Sequence, residues 1–117
     1  MKIGIDMVEI SRIRKSIQIP GFIEKIYSKG EIELYHSRKD NVEILAGRFC
    51  VKEAFSKALG TGVRNFELDE VSTLSDELGA PYIVLEGNAA KLCDEKKLSV
   101  SITHTAEYAQ AVVLLND

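Results

Sequence analysis

Two carboxylates and an ammonium, Asp6, Glu53 and Lys57, are the side chains best suited to chemistry on a phosphate. Glu53 and Lys57 lie four residues apart in Lys52-Glu53-Ala54-Phe55-Ser56-Lys57, and Asp6 follows the apolar start of the chain. Magnesium takes one or two protein carboxylates and fills its remaining positions with phosphate oxygens and water, so Asp6 and Glu53 would suit a diphosphate substrate. That requires the fold to bring a strand carboxylate and a helix carboxylate together. Two solvated carboxylates are the plain alternative. Glu53 and Lys57 also stand in the favourable order for an i, i+4 ion pair of about 0.3–0.5 kcal/mol on an exposed helix face. Burying that pair beside Phe49 and Cys50 costs desolvation unless other partners complete it, as a phosphate and a metal would.

Anion-binding groups surround this core. Gly60-Thr61-Gly62 follows Lys57 closely, and two glycines around a threonine let backbone amides approach a phosphate, although Gly60 reads first as a helix stop. Arg48, upstream on the same helix, offers a fork suited to phosphate, against the commoner case of a surface arginine. His104 ends an alternating segment, Ser99 to Thr105, and no second histidine falls at metal-ligand spacing. It reads as a phosphate contact or a satisfied structural histidine, not a zinc ligand. His36, in a charged stretch, reads as a surface residue.

Alternation of Ile3, Ile5 and Met7 with Lys2, Gly4 and Asp6 predicts an opening strand with one face buried. Ile10, Ile13 and Ile17 then carry a short helix whose outer surface holds Arg12, Arg14 and Lys15. Pro20-Gly21 breaks it, and two further short helices reach residue 40. Asn41 to Leu59 reads as the principal helix, ended by Gly60 in a left-handed cap. Apolar residues on two sides of this helix imply deep burial or a subunit contact. Strands are expected at Val71–Leu74, Tyr82–Leu85, Ser99–His104 and Tyr108–Leu115, with a short helix through Asn88–Cys93. Helices followed by strands with short connections favour an α+β domain with antiparallel pairing.

At 117 residues the chain fits one domain, residues 1–117, and its 45% hydrophobic and 28% charged content is that of a globular protein. The start lacks a basic segment before an apolar run, and no apolar run reaches membrane length, so a cytoplasmic protein away from the membrane is expected. Cys50 and Cys93 are too far apart and too isolated for a zinc motif or a disulfide framework. A net charge of -3 argues against general nucleic-acid binding. The Arg12–Lys15 cluster is a local exception.

Three ordered motifs go further. Gly4-Ile5-Asp6-Met7-Val8-Glu9-Ile10 with Arg12-Ile13, then Gly47-Arg48-Phe49-Cys50-Val51-Lys52-Glu53-Ala54-Phe55-Ser56-Lys57-Ala58-Leu59-Gly60-Thr61-Gly62, then Ser101-Ile102-Thr103-His104-Thr105 with Tyr108-Ala109, resemble the holo-acyl-carrier-protein synthase family. The resemblance spans nearly the whole chain, and between Val63 and Leu98 it rests mainly on Gly79-Ala80-Pro81-Tyr82. It implies the 4'-phosphopantetheinyl transferase fold: an antiparallel sheet packed against one long helix and several short ones. It further implies transfer of the phosphopantetheine arm of coenzyme A to a serine of apo acyl carrier protein. Asp6 and Glu53 would hold magnesium against the diphosphate, and Lys57 would neutralise charge as 3',5'-ADP departs. Arg48, Lys57, Gly60, Thr61, Gly62, Pro81, His104 and Thr105 would line the coenzyme A site. Arg12 and Arg14 would face the acidic carrier protein. The short chain resembles the members that form homotrimers with active sites between subunits.

Two other functions use the same residues. A magnesium-dependent hydrolase of nucleotide diphosphates would replace the serine by water. A binding module would dock an acidic partner on Arg12–Lys15 with no covalent product.

Overall fold

The close approach of a helix to the first strand organises the fold. The computed structural model describes residues 1–117. Strand β1 (Lys2–Glu9) leads into α1 (Ile10–Ser16), α2 (Phe22–Ile26), α3 (Lys29–Ser37) and the long α4 (Val42–Leu59). A 3-10 turn (Leu68–Glu70) precedes β2 (Val71–Ser75) and β3 (Pro81–Leu85), and α5 (Gly87–Cys93), β4 (Lys97–His104) and β5 (Tyr108–Asn116) complete the chain. No helix is long and apolar enough to cross a membrane.

The strands divide into two antiparallel sheets, a three-stranded one in the order β1-β5-β4 and the β2-β3 hairpin. Ala111 of β5 lies between Asp6 of β1 and Ile102 of β4. Ala109, Ala111, Val113 and Leu115 of β5 point into a core shared with Val51, Ala54 and Phe55 of α4. Helix α4 crosses this sheet diagonally. Gly47 stands over Ile102 of β4, the Cys50 thiol donates to the Ala109 carbonyl of β5 at 3.4 Å, and the Ala54 carbonyl faces Gly4 of β1. A Cβ on Gly4 would overlap that carbonyl oxygen, so only glycine permits this contact.

Asn41 starts α4 by accepting the Glu43 N–H on its side chain, and Gly60 ends it at φ 82°, the left-handed cap read from the sequence. The apolar residues on two sides of α4 are explained by burial within the chain, since both sheets and the short helices pack around it. Both cysteines are free and buried.

The opening strand reverses one expectation. Its buried face carries Gly4 and Val8 against α4, while Ile3, Ile5 and Met7 are 65%, 52% and 60% exposed. Alternation gives the period of a strand but not which face meets the chain's own helix. These three side chains share the outer sheet face with positions paired to them on β5, namely Leu114, Val112 and Gln110.

Candidate active site

Asp6 lies on the α4-facing side of β1, where Gly4 lets the helix come close. Lys57, in the last turn of α4, donates from Nζ to the Ile5 carbonyl at 2.9 Å and to Asp6 Oδ1 at 3.2 Å. Glu53 is half-buried beside them. Burial, and then the charge of Asp6, push its carboxyl above the ordinary range, while Lys57 and Arg12 act in the opposite direction. Two carboxylates therefore share one electrostatic site with two cations. Behind them, the Cys50 thiol is pushed up to about 12, chiefly by burial and then by the Asp6 charge, which leaves it protonated and inert.

A magnesium ion fits this donor set. Asp6 and Glu53 are hard oxygen ligands whose mutual repulsion a cation relieves. No three His, Cys, Asp or Glu side chains gather anywhere in the chain, so a metal here would take its other ligands from water and substrate, as magnesium commonly does.

A second group of sequence-identified residues lies elsewhere. Arg48, Pro81 and His104 line one cavity of about 340 Å³ together with Arg38 and Ser75. Arg48 is buried, donating from Nε to the Thr73 carbonyl at 3.2 Å and from Nη2 to Ser75 Oγ at 3.0 Å. Burial lowers the pKa of its guanidinium, with the charge of Glu31 opposing that shift. Two of its five N–H groups are thus engaged, leaving three for a ligand. His104 is half-exposed at the rim, its Nδ1 3.4 Å from Glu43 Oε2. Arg48 and Lys57 are nine residues apart on α4, so at about 100° per residue they leave opposite sides of the helix. The body of α4 stands between the two groups, and a single chain does not gather all the residues read as coenzyme A contacts.

The remaining residues frame these groups. Gly60, Thr61 and Gly62 are exposed just beyond Lys57, and the Thr61 hydroxyl donates to the Gly62 carbonyl at 3.0 Å. Thr105 holds the β4–β5 turn: its Oγ1 accepts from the N–H groups of Glu107 and Tyr108 at 3.2 and 3.1 Å. Its hydroxyl hydrogen remains available to donate. Arg12 and Arg14 are exposed on α1, anchored underneath by buried Ile10 and Ile13. His36 is on the surface, paired with Asp40 at 2.7 Å.

Sequence reasoning missed a buried polar network beneath Arg48. Lys52 and Glu31 form an ion pair of 2.6 Å with both side chains wholly buried. Lys52 also donates to the carbonyls of Leu68 and Val71, at 3.0 and 2.5 Å. Glu31 accepts from Ser28 N–H at 3.0 Å through Oε1 and from Thr73 N–H at 2.9 Å through Oε2. The available signal was Ser28-Lys29-Gly30-Glu31, which has the form of a capping box, and the structure contains that box.

Residues 2–113 match the model of the 4'-phosphopantetheinyl transferase superfamily. The chain belongs to that superfamily. Within it, the chain is similar to the holo-acyl-carrier-protein synthase of Fusobacterium nucleatum, 43% identical with 97% of this chain and 96% of that protein covered. The synthase of Clostridium novyi is 45% identical over 97% of this chain and 85% of its own length. Among solved members, the Helicobacter pylori synthase in complex with coenzyme A superposes with a TM-score of 0.85 at 35% identity, covering 97% of this chain and 99% of that one. The Bacillus anthracis synthase in complex with CoA (3',5'-ADP) gives 0.83 at 33% identity, covering 97% and 94%.

Proposed function

We propose that this superfamily member transfers the 4'-phosphopantetheine arm of coenzyme A to a serine of an apo acyl carrier protein, at magnesium-dependent sites formed between the subunits of a homotrimer. The serine oxygen attacks the phosphorus that carries the pantetheine arm, the bond from that phosphorus to the bridging oxygen breaks, and 3',5'-ADP leaves with the electron pair. Bound magnesium would be held by Asp6 and Glu53 and would draw negative charge from the diphosphate.

The chain's own residues supply the rest. Lys57 holds Asp6 in place and puts a positive charge beside the breaking bond. Glu53 takes the serine proton directly or through a water. Arg48, Pro81, His104 and Thr105 bind the nucleotide end, and Gly60-Thr61-Gly62 borders the phosphates. Arg12 and Arg14 meet the acidic carrier protein, and the charge of Arg12 also reaches Glu53.

The observation that carries the trimeric reading is the placement of Asp6-Glu53-Lys57 and Arg48-Pro81-His104 on opposite sides of α4. The bare outer face of Ile3, Ile5 and Met7 is the surface on which a neighbour would seat. The reading includes a single domain, a cytoplasmic location and service to fatty acid biosynthesis.

Intact-mass measurement of an apo acyl carrier protein after incubation with the enzyme, coenzyme A and magnesium tests the transfer. A mass gain of one phosphopantetheine arm, abolished by a chelator and by Asp6→Asn with Glu53→Gln, is expected. Release of free phosphopantetheine with no gain in carrier mass would indicate a hydrolase. Binding of the carrier without any covalent product would indicate a binding module.

A further inference from the structure

Lys52 directly precedes Glu53 but points away from it, into the core between α3, α4 and β2. All three of its N–H groups are used there, on Glu31, Leu68 and Val71. Replacing a buried ion pair with packed apolar side chains is often neutral or stabilising, so stability alone gives no reason to keep one. The remaining contacts of this pair supply another reason.

Glu31 Oε2 accepts the Thr73 N–H, and the carbonyl of the same residue accepts Arg48 Nε–H. Lys52 holds the Val71 carbonyl two residues earlier on that strand, and Ser28 Oγ lies 2.6 Å from Ser72 Oγ between them. Every residue from Val71 to Thr73 is thereby tied to the buried pair or to the cap next to it. Arg48 hangs from the last of these, and Ser75, its other partner, pairs in register with Pro81, which lines the same cavity.

We propose that Lys52 and Glu31 are positioning residues for coenzyme A binding: the buried pair fixes the start of β2, and β2 aims the Arg48 guanidinium into the cavity it shares with Pro81 and His104. The inference rests on the reading of that cavity as the nucleotide end of the coenzyme A site. The pair touches neither substrate nor the Asp6-Glu53-Lys57 group, so it acts on the affinity for coenzyme A and not on the chemical step.

The test is steady-state kinetics of trimeric enzyme for Glu31→Gln, Lys52→Met, Arg48→Ala and the double variant Glu31→Gln/Arg48→Ala, with Leu115→Val as a core control. Glu31→Gln and Lys52→Met should each raise KM for coenzyme A about tenfold, a size typical when an outer partner of a ligand-binding group is removed. Their kcat and KM for the carrier protein should stay within about twofold, while Leu115→Val changes neither KM. The double variant should match Arg48→Ala alone, because the pair acts through Arg48. Wild-type KM in Glu31→Gln beside a raised KM in Arg48→Ala would overturn this inference and leave the cavity reading intact. An unchanged KM in Arg48→Ala would overturn the cavity reading itself. Should Lys52→Met fail to fold, Glu31→Gln and its double variant decide alone, and additive effects in that double variant would reject the positioning role.

Discussion

Lys57 does not pair with Glu53, one turn before it on α4, but reaches across to Asp6 of β1, with 3.2 Å between Nζ and Oδ1. The spacing of Glu53 and Lys57 suits a local ion pair on an exposed helix, and the structure spends the ammonium on a long-range contact instead. Glu53 is left facing the Asp6 charge without a direct cationic partner. This arrangement disfavours two bare carboxylates and favours a bound cation.

The first prediction concerns pH. The folded-state pKa of Glu53 is raised, so in the metal-free protein the folded state holds more protons than the unfolded one between the ordinary glutamate pKa and the raised value. The contribution of Glu53 to stability is therefore favourable at low pH and lost as pH rises through that window. Glu53→Gln should remove this slope in a series of Tm measurements from about pH 4 to pH 7. Magnesium should raise the Tm of the wild type at neutral pH and leave that of Glu53→Gln nearly unchanged. An equal magnesium effect on both would count against Glu53 as a ligand.

Gly4→Ala should destabilise the fold by at least about 2 kcal/mol, because the new Cβ forces β1 away from the Ala54 carbonyl. Urea denaturation measures it. Activity should fall more than the folded fraction does, since the same shift separates Asp6 from Glu53. A variant of wild-type stability would show that the strand and helix accommodate the methyl group.

Much of this was legible in the sequence, and the exceptions have physical causes. The Gly60 cap, the turn before Pro81 and the strands near Val71, Tyr82, Ser99 and Tyr108 are written in local residue chemistry, and they fall where expected. The alternation of Ile3, Ile5 and Met7 reports period alone; which face covers α4 is decided by Gly4, whose missing side chain carries no hydrophobic signal. Lys52 gives little sequence signal of burial, since a lysine in a helix is ordinarily solvated, although it falls seven residues after buried Leu45 on the same stripe. The residues of both site groups could be named from their motifs. Their division by α4 could not, since it depends on the diagonal crossing of the helix over three strands.

Charge reversal at Arg12 should weaken carrier-protein binding about tenfold at low salt, with the loss shrinking as salt rises. KM for the carrier protein at two ionic strengths reports it. An Arg12→Glu enzyme with unaltered carrier-protein KM at low salt would remove α1 from the docking surface.

In the proposed trimer, one reaction draws Asp6, Glu53 and Lys57 from one subunit and the Arg48 cavity from its neighbour. Subunit complementation decides this: Asp6→Asn and Arg48→Ala chains are unfolded together, refolded as a mixture, and assayed at limiting coenzyme A. Random assembly should restore about a quarter of the sites to wild-type composition, giving activity well above either variant alone. Ile5→Lys in both chains, which puts a charge on the bare outer face of β1, should abolish the recovery. Activity of the mixture equal to the mean of the two variants would contradict the account and place the whole site within one chain.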